Sequence, residues 1–177
     1  MIFSKALIVG GARSGKSAFA ETLLHGAPKP WTYIATAQAF DEEMKQRIAL
    51  HTERRAEHWR MIEAPLDVAT ILADSSSDDA ILLDCATLWL SNQMLADANI
   101  ERVTKRLLDA VRAFQGIIVM VSNEVGSGIV PENALARRFR DAQGRLNQHL
   151  AAEADLVVLV TAGLPLVLKG ALPPQST

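Results

Sequence analysis

The sequence predicts an α/β fold, a mostly parallel sheet with helices on both faces. Three observations lead there. Short runs rich in branched apolar residues alternate with longer segments of helical period. The runs are continuously apolar, as strands buried on both faces are. The first run passes through a glycine-rich turn directly into a helical segment, and such alternation implies parallel strands joined by helices.

The elements follow in order. Residues 6–9 form the first strand and 17–24 the helix after it. The second strand is 31–36. Residues 41–59 read as a long helix whose first turn is acidic, where carboxylates complement the helix dipole. The third strand, 81–83, ends at Asp84, and helices over 88–96 and 101–114 come next. Strands at 117–122 and 156–160 bracket a helix over 133–153. A short edge strand at 166–168 follows the turn Gly163-Leu164-Pro165 and closes a C-terminal edge hairpin. Residues 75–79 are the clearest loop and too short to divide domains, so a single domain over 1–177 is expected.

Composition excludes several function classes. Eighteen Lys and Arg against twenty Asp and Glu leave a net charge of −2, which argues against a nucleic-acid partner. Cys85 is the one cysteine, so no intrachain disulfide is possible and a reducing compartment fits. One Cys and four scattered His give no structural zinc spacing. The start Met1-Ile2-Phe3-Ser4-Lys5 lacks the features of a signal peptide, and the longest apolar stretch is broken by Gly163 and Pro165. A cytoplasmic protein without membrane insertion is the expectation.

Gly10, Gly11, Ala12, Arg13, Ser14, Gly15, Lys16 and Ser17 fit G-x-x-x-x-G-K-[ST], the Walker A phosphate loop, in its required strand–turn–helix setting. Small residues let backbone N–H groups wrap phosphate oxygens, and the helix N-terminus adds partial positive charge. Lys16 is placed to reach the β- and γ-phosphates and Ser17 to ligate Mg²⁺. Asp84, ending an apolar strand, is a candidate Walker B carboxylate that holds Mg²⁺ directly or through water. Cys85 beside it reads as buried filler.

On the helix expected over 41–59, Arg47, His51, Arg54 and Arg55 share one face. Two readings stand side by side. A neutral imidazole flanked by guanidinium groups is a nucleophile for phosphorus. Alternatively, Glu43, Glu53 and Glu57 pair with the arginines on a solvated face.

Taken together, these motifs resemble the bifunctional adenosylcobinamide kinase / adenosylcobinamide-phosphate guanylyltransferase family of cobalamin biosynthesis. The resemblance runs along nearly the whole chain. It rests on the phosphate loop, on Tyr33-Ile34-Ala35-Thr36-Ala37, and on Asp41-Glu42-Glu43-Met44 followed by Arg47, Ile48 and His51. It continues through Arg55, Trp59 and Glu63 to Leu83-Asp84-Cys85-Ala86-Thr87-Leu88-Trp89-Leu90-Ser91-Asn92. Asn123-Glu124-Val125-Gly126-Ser127-Gly128 and residues 129–133 and 137–147 complete it.

The resemblance implies a RecA-like P-loop NTPase fold, with 1–177 a single P-loop nucleotide-binding domain, and a homotrimer. It implies two reactions: phosphorylation of adenosylcobinamide by ATP or GTP, then transfer of GMP from GTP to adenosylcobinamide phosphate. Mg²⁺ with the nucleotide is the implied cofactor, with no tightly bound organic one. The family's guanylylated histidine falls on His51. Its nucleotide contacts fall on the phosphate loop, Ala35, Thr36, Ala37, Thr52, Glu53, Arg54, Arg55, Glu63 and Asp84. The glycine-rich segment 123–133 is either a lid or corrinoid-contacting loop or an ordinary connection. Arg137, Arg138 and Arg140 either meet phosphate across a subunit interface or solvate a helix.

Overall fold

A computed structural model describes residues 3–37 and 58–174. Seven strands form one sheet: β1 (Lys5–Gly10), β2 (Trp31–Ala35), β3 (Trp59–Glu63), β4 (Ala80–Asp84), β5 (Ile117–Asn123), β6 (Leu156–Thr161) and β7 (Leu164–Lys169). Their order across the sheet is β3-β2-β4-β5-β1-β6-β7. Every neighbouring pair is parallel except the β6–β7 hairpin.

Burial explains which strands are plainly apolar. β1, β2, β4 and β5 are almost wholly buried, and their sequences carry the branched and apolar residues that such strands need. Of the two outer strands, β3 is partly exposed and β7 is exposed along its whole length. The edge strand β7 spans Leu164–Lys169, longer than the expected 166–168.

The helices cover both faces. α1 (Lys16–Thr22) packs Ala20 and Phe19 against Ile8, Tyr33, Leu82, Val121 and Val158. The opposite face carries α2 (Val68–Asp74), α3 (Ala86–Leu95), α4 (Ile100–Ala113) and α5 (Ala134–Glu153). There Leu72, Trp89, Leu107 and Leu150 pack on Leu83, Ile118 and Met120. Three caps follow directly from sequence. Asp67, Asn99 and Asn133 each accept a backbone N–H of the first turn of α2, α4 and α5.

Two elements differ from expectation. The helix read over 41–59 lies outside the described residues up to residue 57, and its C-terminal end is corrected: His58 is in a turn and Trp59 opens β3. α2 had no sequence expectation at all.

Candidate active site

Because the first six strands are parallel, their carboxyl ends share one rim. Register places Ala35 opposite both Glu63 and Asp84, Asp84 opposite Val121, and Gly10 opposite Asn123. The rim therefore reads Glu63, Ala35, Asp84, the end of β5, then Gly10. Asp84 stands two strands from Gly10, a lateral separation of about 10 Å. Ligands of open α/β sheets bind outside such carboxyl ends.

The loop after β1 is shaped by its backbone. Gly15 has φ 95° and Arg13 φ 56°, both left-handed. A Cβ on Gly10 would stand 2.5 Å from Val160 O and 2.5 Å from Ser14 Oγ, so only glycine fits where the loop folds back. Glu124 N–H donates to Gly10 O at 3.1 Å, and Gly163 N–H donates to Ser14 O at 2.8 Å. The loop is thus held from both sides, by the exit of β5 and by the β6–β7 turn. No side chain caps α1, so its leading N–H groups are left for an anion. Lys16 Nζ bridges the loop to Gly11 O at 3.2 Å.

At the end of β4, Tyr33 donates its hydroxyl hydrogen to Asp84 Oδ2. Fully buried Thr36 clamps the next residue: its Oγ1 donates to Cys85 O at 2.7 Å and accepts from Cys85 N–H at 2.8 Å. Asn92 Nδ2 donates to Thr36 O at 2.8 Å and Pro65 O at 3.0 Å, joining α3 to the ends of β2 and β3. Burial pushes the Cys85 thiol up, and the Asp84 charge adds to the effect. The thiol is therefore neutral at physiological pH and is no nucleophile.

The residues present fit Mg²⁺. Asp84 offers a carboxylate whose second oxygen receives no hydrogen bond among the described residues. Ser17, half-buried in the first turn of α1, offers a hydroxyl. Strand alternation puts Asp84 on the face that carries α1. Among the described residues no cluster of three or more His, Cys, Asp or Glu exists. Mg²⁺ commonly sits on one or two protein oxygens plus substrate phosphates.

The rim brings together the sequence-derived residues Gly10, Gly11, Ala12, Arg13, Ser14, Gly15, Lys16 and Ser17 with Ala35, Thr36, Ala37, Glu63 and Asp84. His51, Thr52, Glu53, Arg54 and Arg55 lie outside the described residues. Sequence reasoning assigned no role to Tyr33, Asn92 or Gly163. Tyr33 was accessible by period two, since it shares a face with Ala35, the strand neighbour of Asp84. Asn92 and Gly163 act through contacts distant in sequence and had no such signal.

Comparison with known proteins gives the chain its relatives. The family model for cobinamide kinase / cobinamide phosphate guanyltransferase (CobU) matches residues 6–168. The bifunctional adenosylcobalamin biosynthesis protein CobP of Pseudomonas aeruginosa is 45% identical over 167 residues, covering 93% of this chain and 96% of the relative. The bifunctional adenosylcobalamin biosynthesis protein CobU of Salmonella typhimurium is 44% identical over 179 residues, covering 92% and 98%. Among solved structures, the assembled type III secretion ATPase EscN of enteropathogenic E. coli aligns with a TM-score of 0.55 at 13% identity. That match covers 91% of this chain and 43% of EscN, and it supports the P-loop NTPase fold alone. The phosphate loop, the carboxylate rim and these relatives converge: the chain belongs to the cobinamide kinase / cobinamide phosphate guanyltransferase family, enzymes with kinase and nucleotidyltransferase activities.

Proposed function

We propose that this protein phosphorylates adenosylcobinamide with ATP or GTP and then transfers GMP from GTP, through a guanylylated His51, to adenosylcobinamide phosphate. The observation that carries the reading is the shared rim of the phosphate loop, Ala35, Glu63 and Asp84 in a chain of this family.

In the first reaction the substrate hydroxyl oxygen bonds to the γ-phosphorus. The bond from that phosphorus to the β–γ bridging oxygen breaks, the nucleoside diphosphate leaves, and the hydroxyl proton passes to solvent. The loop N–H groups hold the phosphates, and Lys16 exchanges Gly11 O for phosphate oxygen. Mg²⁺, when held by Ser17 and Asp84, supplies charge neutralisation on the β- and γ-phosphates. Such transfer is mostly positioning and electrostatics, which a rigid loop seated on two neighbouring elements provides.

In the second reaction a ring nitrogen of His51 bonds to the α-phosphorus of GTP and pyrophosphate leaves. A phosphate oxygen of adenosylcobinamide phosphate then displaces the histidine, giving adenosylcobinamide-GDP. The residues Thr52, Glu53, Arg54 and Arg55 stand in this reading as nucleotide contacts beside His51. In this reading the assembly is a homotrimer; exposed Leu164, Leu166 and Leu168 along β7 support a subunit contact there.

Intact mass after incubation with GTP and Mg²⁺ tests the reading, run beside His51→Ala. The expected result is a GMP-sized gain on the wild type only, reversed by adenosylcobinamide phosphate. No adduct on a protein that still transfers phosphate would leave a plain P-loop kinase.

A further inference from the structure

A polar cluster lies beneath the carboxyl end of β5, on the sheet face opposite α1. Ser122 and Gln143 are fully buried and Thr87 nearly so. Ser122 Oγ donates to Asn147 Oδ1 at 2.6 Å. Gln143 Nε2 donates to Ser122 Oγ at 2.9 Å and to Asn147 Oδ1 at 2.8 Å. The reactions described above make no use of this cluster. It is also costly, because Gln143 Oε1 is buried without a hydrogen-bond partner among the described residues. A partly satisfied polar network in an apolar layer is poorer for stability than an apolar replacement.

Its output converges on one residue. Asn147 Nδ2 donates to Asn123 O at 3.0 Å, and Thr87 Oγ1 accepts from Asn123 N–H at 2.7 Å. The next N–H, of Glu124, bonds to Gly10 O in the phosphate loop. The Asn123 backbone is therefore clamped on three sides. Its side chain is not. Asn123 Nδ2 meets only Cys85 Sγ, at 3.7 Å, a weak acceptor, and no hydrogen bond reaches its Oδ1 among the described residues. By strand alternation with Val119 and Val121, Asn123 belongs to the α1 face. It stands opposite Gly10, on the strand between the phosphate loop and Asp84. A rigid backbone carrying an underused carboxamide at this place is a preorganised donor.

We propose that Asn123 donates a hydrogen bond to the phosphate being transferred, and that Asn147, acting through Asn123, is a positioning residue for phosphoryl transfer. The inference rests on the nucleotide site proposed above and extends it to the face of the sheet turned away from the ligand.

A double-mutant cycle tests it, using phosphate transfer from ATP to the corrinoid acceptor, with thermal melting of every variant. Asn123→Ala is expected to lower kcat on the order of 100-fold with KM for ATP little changed. Asn147→Ala is expected to lower kcat roughly 10-fold. Its effect should nearly vanish in the Asn123→Ala background, which a purely structural role would not produce. Fully additive effects in folded proteins, or wild-type kcat for Asn123→Ala, would overturn the proposal. Should Asn147→Ala fail to fold, Thr87→Val removes the other clamp and enters the same cycle. Lys16→Ala separates the two levels. Loss of transfer there, with Asn123→Ala unaffected, overturns this inference and leaves the nucleotide site standing. Retained transfer in Lys16→Ala overturns both.

Discussion

Tyr33 donates to Asp84 Oδ2 across 2.5 Å, from β2 to the adjacent β4. The phenol is nearly buried and packs edge-on against Trp59 with centroids 6.0 Å apart, so the ring has little freedom. The bond fixes one carboxylate oxygen and turns the orientation of the other into a property of the sheet. Tyr33→Phe keeps the ring and removes the bond. We expect the Mg²⁺ concentration for half-maximal kinase activity to rise about 10-fold, the lower end of the roughly 10- to 100-fold that loss of an outer partner of a metal ligand commonly costs. A Mg²⁺ titration at saturating ATP reads this, and an unchanged midpoint would show that Asp84 needs no such support.

Thr36 satisfies both peptide groups of Cys85 with one hydroxyl. Thr36→Val leaves the buried Cys85 N–H without this acceptor, at about 1–3 kcal/mol, while Cys85 O keeps the Trp89 N–H at 3.1 Å. The expected loss of roughly 1–3 kcal/mol is measurable by urea unfolding. Thr36→Ser should restore most of it, because the hydroxyl matters more than the methyl.

Gly10→Ala should damage the phosphate loop through the backbone. Its Cβ would meet Val160 O at 2.5 Å, and a strand carbonyl cannot swing aside. We expect a loss of about 1–3 kcal/mol and loss of the rise in melting temperature that ATP gives the wild type. Gly11→Ala is the matched control, since nothing lies within 4 Å of its Cβ. It should fold as the wild type does.

Asp155 gives the fold a measurable acid dependence. Desolvation raises its pKa, but N–H bonds from Lys5 and Ser4, the Ser4 hydroxyl and the Lys5 charge outweigh it and hold the carboxyl below the usual range. A depressed folded pKa means stability that is present above the unfolded value, about 3.9, and lost as pH falls through the folded one. Asp155 is exposed, so solvent screening limits the cost of Asp155→Ala at neutral pH to about 0.5–1 kcal/mol, with the gap to wild type closing below about pH 4. Unfolding curves at several pH values test this. A gap that persists at low pH would assign the loss to packing instead of charge.

The sequence made the middle of the molecule legible and its margins much less so. Gly10–Ser17, β1, β4 and β5 were readable because double burial forces continuous apolar runs, and because phosphate wrapping demands glycine, lysine and serine at fixed spacing. β3 was hidden because Trp59–Glu63 lies at an exposed edge, where Arg60 and Glu63 face solvent and no run of apolar residues forms. α2 was hidden by its length of 7 residues, too short for a helical period to declare itself. At the site, Asp84 was visible as an acid closing an apolar strand. Asn92, Asn147 and Gln143 were not, since their importance comes from partners brought near by the sheet. On α5, Gln143 and Asn147 resemble the solvated polar face that such spacing usually marks, yet Gln143 is fully buried.

The hydrogen bond from Gly163 to Ser14 has a consequence for synthesis. The phosphate loop leaves the ribosome early, but its seat includes the turn between the final two strands. β1 likewise waits for β5 and β6, its two neighbours in the sheet. A stalled or truncated nascent chain would display the complete Gly10–Ser17 motif without the support that holds it in shape. In a nascent chain the shape of the phosphate loop therefore depends on β6 and the turn into β7, both of which are made long after it.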